Sequence, residues 1–220
     1  NIDRYPALFD AMVKQWRDEF EYDMPFIVFQ LVQYIGEEGS SYGDFRVMQW
    51  DMMETTENVY TVVGLDHGEV HDIHPSDKLT YGMRAGDLAL NVVYGYGDRP
   101  GLSPSAVSAV KTENAITVSF ENIGGGLLLT EGTQVQNVEI MVDGVYQSAT
   151  ATLVDNQLVV DITGITGCTA VSYGVENVMD IVNLYSENGL PVAPFILTEF
   201  AEAERDYKIL LRQEVLKMRD

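Results

Sequence analysis

Over residues 3–21, apolar residues recur at three- and four-residue steps. Tyr5, Leu8, Phe9, Met12, Val13 and Trp16 fall on one face of a predicted helix. Asp3 stands where it can cap the start. Pro6 fits a first turn, where its missing N–H would have no partner anyway. Pro25–Val32 is a nearly continuous apolar run rich in branched and aromatic residues, the pattern of a strand covered on both faces. Gly36–Gly43 is a polar loop. Residues 44–57 predict a second helix with Phe45, Met48, Met52 and Met53 inward, the thioethers serving as adaptable core filler. Val59–Gly64 predicts a second buried strand. Residues 77–95 predict a third helix, with Leu79, Met83, Leu88, Leu90 and Val93 among its apolar positions. This alternation of helix and strand predicts part of a parallel α/β sheet.

The texture changes at the turn-rich stretch Asp98–Gly101. Short β-like segments follow at Ala106–Lys111, Ala115–Phe120, Val138–Val142, Ala149–Leu153, Gln157–Ile162 and Ala170–Tyr173. Turn residues separate them, as at Asp143-Gly144 and Asp155-Asn156. Regularly spaced strands of this kind predict an antiparallel β-sandwich. Gly124-Gly125-Gly126 is followed by neither a helix nor a Lys-Ser/Thr pair, so it reads as a bulge or tight turn and not as a phosphate loop. The last stretch, Thr198–Asp220, is charged and reads as a helix with a stripe of Phe200, Tyr207, Leu211, Val215 and Met218. The expected organisation is therefore an α/β region over 1–97, a sandwich over 98–197 and a terminal helix over 198–220.

Composition narrows the partners. Hydrophobic residues form 46% of the 220, enough for a substantial core. The formal net charge is -21, which repels phosphate backbones and anionic membrane surfaces and argues against both as partners. No apolar run is long enough to span a bilayer, and the first residues read as a helix and not as a signal peptide. It opens in mid-pattern without a Met, which suggests a fragment or one chain of a cleaved protein. The lone cysteine, Cys168, lies in an apolar strand-like context and does not fix the compartment.

The chemistry concentrates in one place. His67, His71 and His74 are all the histidines of the chain, and they fall in a single stretch after the second strand. In α/β folds that is where ligands bind. Three chemistries fit. The first is a carboxylate–imidazole pair, with His74 as general base and Asp72 or Asp66 as its orienting carboxylate, the nucleophile coming from elsewhere. The second takes a nucleophile from this chain: Gly39-Ser40-Ser41-Tyr42-Gly43 matches the Gly-x-Ser-x-Gly elbow, although Ile35 to Gly39 separate Ser41 from the strand that should present it. The third is a metal site of His67, His71 and His74 with Asp66, Glu69 or Asp72 as an oxygen ligand.

Several blocks in order carry a resemblance. Tyr5–Arg17 resembles the helix of the sialate O-acetylesterase family, within the SGNH hydrolases, and Pro25–Leu31 resembles the strand after it. Asp72-Ile73-His74-Pro75 is similar to that family's catalytic histidine block. Gly126-Leu127, after the strand at Ile116–Phe120, fits its β region, and Asn183–Phe195 resembles its C-terminal signature. The resemblance implies an SGNH-type α/β half followed by a sandwich, and a Ser-His-Asp esterase that removes acetyl groups from O-acetylated carbohydrates without a metal or other cofactor. The family's serine lies in an N-terminal Gly-Gln-Ser-Asn block that is not in this chain. The N-terminal part of the same protein is thus an implied partner, and the chain alone is expected to be inactive. Position also implies that Asn1 is the last residue of a Gln-Gly-Glu-Ser-Asn block and contributes its amide to an oxyanion hole. The wider superfamily has Asp three residues before the His; here His71 stands there and Asp72 lies two before. A reading of a different class is a non-catalytic carbohydrate-binding or interaction module in which residues 101–196 bind glycan.

Overall fold

The computed structural model describes residues 2–202 except Glu38, and the backbone alone of Glu54 and Glu202. After a 3-10 turn at Ile2–Arg4, helix α1 runs Tyr5–Phe20. It stops where Glu21 turns left-handed (φ 49°) and returns its N–H to the Arg17 carbonyl. Strand β1 (Phe26–Phe29), helix α2 (Tyr42–Thr55), strand β2 (Val59–Val62) and helix α3 (Leu79–Val92) follow. β1 and β2 pair in parallel, from Phe26 opposite Val59 to Phe29 opposite Val62. Side chains alternate across such a pair. Phe26, Val28 and Val59 pack with Phe9, Val13 and Met52 of α1 and α2. Ile27, Tyr60 and Val62 pack with Tyr81 and Leu88 of α3.

Helices thus lie on both faces of the first strand, but its outer edge is open: among the described residues no strand pairs with that edge of β1, and Phe29 is 49% exposed. In α3 the buried positions are Tyr81 and Leu88, whereas Leu79 and Met83 face outward. The same holds for α1, which buries Phe9 and Val13 and leaves Leu8, Met12, Trp16 and Phe20 exposed at four-residue steps. The helices carry more apolar surface than the described chain covers.

The remaining strands are β3 (Ser105–Lys111), β4 (Ala115–Glu121), β5 (Leu127–Leu129), β6 (Val138–Val142), β7 (Val145–Ser148), β8 (Ala151–Val154), β9 (Gln157–Asp161), β10 (Cys168–Tyr173), β11 (Leu184–Ser186), β12 (Phe195–Leu197) and β13 (Ala201–Glu202). They form a five-stranded sheet in the order β13-β3-β4-β9-β8, a four-stranded sheet in the order β12-β10-β6-β7, and the pair β11-β5. All pairings are antiparallel except β13 with β3. Asp143-Gly144 and Asp155-Asn156 make the tight hairpins, both residues of each having positive φ. That geometry matches the right-handed twist of the strands it joins.

One apolar core joins the sheets. Ile116, Val118, Ile140, Leu158, Val160 and Val171 lie in it with Trp50 of α2 and with Val63 and Leu65 just beyond β2. Cys168 is buried in it as a free thiol. The expected terminal helix does not begin at Thr198. Ala201–Glu202 instead extends the five-stranded sheet beside Val110 and Lys111, and Phe200 lies 5.4 Å below the Lys111 ammonium. Residues 203–220, with the rest of the expected stripe, lie outside the described residues.

Candidate active site

The segments leaving β1 and β2 run side by side at the C-terminal ends of the parallel strands. The Gln30 N–H donates to the Val62 carbonyl (3.1 Å), Gln33 to His67 (2.8 Å) and Ile35 to Val70 (3.0 Å). Gly68 permits the approach: its φ is 113°, and a Cβ there would lie 2.3 Å from the Gln33 carbonyl oxygen.

Beneath this pair of loops sits a polar cluster. The Asp66 carboxylate takes two parallel hydrogen bonds of 2.9 Å from Arg84, one from the Tyr185 hydroxyl (3.1 Å), and lies 3.0 Å from His67 Nδ1. Arg84 also donates to the Val63 carbonyl, 2.7 Å away. Burial by itself pushes the Asp66 carboxyl up. The hydrogen bonds from His67 and Arg84, with the charge of Arg84, outweigh it and hold the carboxyl far below the usual range. An ionised Asp66 requires the proton of neutral His67 on Nδ1. His67 Nε2 is buried without a hydrogen-bond partner, with an Asp77 oxygen 3.9 Å away and Tyr81 packed on the ring at 5.0 Å. The structure therefore builds a carboxylate–imidazole pair, but from Asp66 and His67.

His74 is placed differently. It is exposed on the loop between β2 and α3, as is His71. Asp72 accepts the main-chain N–H of His74 (2.8 Å), which fixes the loop backbone. Glu69 accepts the N–H of Ser76 (3.0 Å), and Lys78 reaches the Pro75 carbonyl. Asp66, with its bonds spent on Arg84, Tyr185 and His67, does not hydrogen-bond the His74 ring. The three imidazoles do not converge: among the described residues no group of three or more His, Cys, Asp or Glu is arranged to hold a metal ion. Ser41 immediately precedes α2, in a hollow of about 300 Å³ with Leu31, Ser40, Tyr42 and Phe45, and no hydrogen bond joins it to a histidine. Asn1 lies outside the described residues.

A third loop, 174–182, docks on these two from the β-rich side. Asn177 receives the N–H groups of Tyr42 (2.8 Å) and Gly43 (3.3 Å) and donates to the carbonyls of Ser40 (2.9 Å) and Ile35 (3.3 Å). The Met179 N–H donates to Gln33 Oε1, 2.7 Å away. Arg46, fully buried, donates to the Glu176 and Val32 carbonyls and pairs with no carboxylate among the described residues; burial lowers its guanidinium to about 10. Arg46, Arg84, Asn177 and Tyr185 escaped the sequence reading, because single polar residues inside apolar segments carry no periodic signal. Arg84, on the helix after the histidine stretch, was the one with a usable cue: an arginine there can reach back to a carboxylate.

No protein-family model and no curated protein sequence matches the chain. A solved structure does: the crystal structure of XAC1771, a novel carbohydrate acetylesterase from Xanthomonas citri, is similar over 88% of this chain with a TM-score of 0.80 and 28% sequence identity. The chain has a carbohydrate-esterase-like fold of mixed sheets with few helices. It spans 46% of the length of that neighbour.

Proposed function

We propose that this chain is the histidine-bearing part of a carbohydrate O-acetylesterase of SGNH type, of the kind that deacetylates sialates. In this reading an α/β half (1–97) is followed by a β-sandwich (98–197), and a preceding segment of the same polypeptide carries the serine. The observation that carries the reading is the likeness to a carbohydrate acetylesterase over nearly the whole chain. The free edge of β1 supports it, since Phe29 on one face and the outer side of α1 on the other leave apolar surface that a further strand and helix would cover.

His74 is the general base of this proposal. His67 is buried, whereas His71 and His74 are open to solvent and substrate, and of these two His74 is the one in the Asp72-Ile73-His74-Pro75 block and the one whose main chain Asp72 holds. It takes the proton of the serine hydroxyl as that oxygen attacks the acetyl carbonyl. The Asn1 amide stabilises the tetrahedral oxyanion. His74 then protonates the departing sugar oxygen, and water repeats the cycle on the acetyl-enzyme. Asp72 positions His74 through its main-chain N–H, and the Asp66 cluster is the rigid floor of the loop. No metal or cofactor enters this scheme.

The test compares two polypeptides on p-nitrophenyl acetate and on an O-acetylated sugar. The longer one, with the serine-bearing segment, is expected to hydrolyse both and to lose at least about 10³-fold in kcat on His74→Ala. The 220-residue chain is expected to be inactive. Hydrolysis by the chain alone that vanishes on Ser41→Ala would overturn the reading. Activity that survives His74→Ala and is abolished by His67→Ala would move the base to the Asp66–His67 pair.

A further inference from the structure

The 174–182 loop has a second face. Between it and the adjoining ends of β6 and β7 lies a cleft of about 520 Å³, within the range of small-ligand sites. Gln134, Gln136, Ser148 and Thr150 line it from the sheet side, and Glu176 and Asp180 from the loop. We propose that this cleft binds an uncharged sugar unit of a glycan, as a subsite separate from the histidine loop. The proposal rests on the carbohydrate reading above and adds to it where, and what part of, a glycan is held.

Three features select that ligand. The first is unspent hydrogen-bonding capacity. The side chains of Gln134, Ser148, Thr150, Glu176 and Asp180 make no hydrogen bond or ion pair among the described residues. A sugar ring offers adjacent hydroxyls that donate and accept together, and carboxylates take such donors in short, charge-assisted bonds. Val178 and Ile181 supply apolar surface beside them for the ring's C–H groups.

The second is charge. Among the described residues no Lys, Arg or His lines the cleft, and two carboxylates do. Burial and the neighbouring Asp180 push the Glu176 carboxyl up, the response of an acid that lacks a cationic partner. An anionic sugar, with its own carboxylate, is repelled there.

The third is rigidity. Asn177 and Met179 bolt the loop to residues 33–43, as described above. Asn137, held left-handed at φ 59°, ties the opposite wall to it by donating to the Ile181 carbonyl at 2.6 Å. A wall fixed before binding loses little entropy on binding. Because residues 33 and 35 of the same segment hydrogen-bond the histidine loop, the cleft is held in fixed relation to His74.

The experiment titrates the isotopically labelled 220-residue chain with xylohexaose, mannohexaose and cellohexaose, following backbone amides by NMR. At least one is expected to shift Gln136, Asn137, Thr150 and Asp180. Glu176→Gln with Asp180→Asn is expected to weaken that binding by about tenfold or more. Thr150→Val weakens it independently should the double variant misfold. An α2,8-linked sialic acid trimer is expected not to bind. Silence from all three hexasaccharides, equal binding of the sialic acid trimer, or shifts of the same amides by calcium chloride alone would each overturn the proposal. Hydrolysis of p-nitrophenyl acetate by the longer polypeptide reads the esterase reading separately, because that substrate carries no sugar.

Discussion

Replacing Asp66 by Asn keeps the shape of the side chain and removes its charge. The carboxylate lies mostly out of solvent, with Arg84 bidentate on it and its Arg84 partner equally shielded. Asn can still accept from Arg84, but it leaves a guanidinium without a counter-charge in a poorly solvated site. Breaking a buried pair from one side costs about 3–5 kcal/mol, a large part of the roughly 5–15 kcal/mol by which domains are stable. For a chain of this size that is a fall in Tm of about 6–20 °C. Asp66→Asn should therefore lower the urea midpoint sharply at pH 7, read through the fluorescence of buried Trp50. The pH dependence has a definite sign. The folded-state carboxyl is held below its unfolded value, so its stabilising contribution is complete above the unfolded pKa of about 4 and is lost as pH falls through the folded value. The gap between wild type and variant should narrow below about pH 4 by roughly 1.4 kcal/mol per pH unit. Adding Arg84→Met to Asp66→Asn should restore much of the loss, since no buried charge is then left unpaired. A loss under about 1 kcal/mol at pH 7, or a gap that widens in acid, would refute the argument.

Gly43→Ala should destabilise by about 1–3 kcal/mol in thermal melts, because its Cβ would lie 1.5 Å from the Val175 carbonyl oxygen and push α2 off the 174–182 loop. Leu158→Ala, in the shared core and fully buried, should cost about 2–5 kcal/mol by urea unfolding. Leu8→Gln with Phe20→Gln, on the open side of α1, should change the stability of the 220-residue chain by less than about 1 kcal/mol while reducing its self-association in light scattering. In the longer polypeptide the same pair should destabilise strongly, because that surface is then covered.

Much of the architecture was legible because period and turn chemistry are local. The 3.6-residue pattern of Tyr5, Phe9 and Val13 marks α1, and Asp143-Gly144 and Asp155-Asn156 mark hairpins whose positive φ few other residues tolerate. What the pattern could not say is how much of an apolar face finds cover within this chain. Leu79 and Met83 fit the periodicity of α3 as well as Leu88 does, yet of the three only Leu88 is buried. The short strands Leu127–Leu129, Val145–Ser148, Leu184–Ser186 and Phe195–Leu197 also escaped notice, since three or four residues carry too little alternation to register.

The histidine stretch shows the same division. Sequence alone placed His67, His71 and His74 in one loop after a strand, supplied acids beside them, and set a net charge hostile to nucleic acid and anionic lipid. It ranked Asp72 as the acid facing His74 because neighbours in sequence are the only neighbours a sequence displays. The tertiary structure assigned Asp72 to the loop's main chain and Asp66 to His67, Arg84 and Tyr185, the last 119 residues away along the chain. Pairings of that separation depend on how helices and sheets stack, and stacking is fixed by the collective burial of a core that no local pattern encodes.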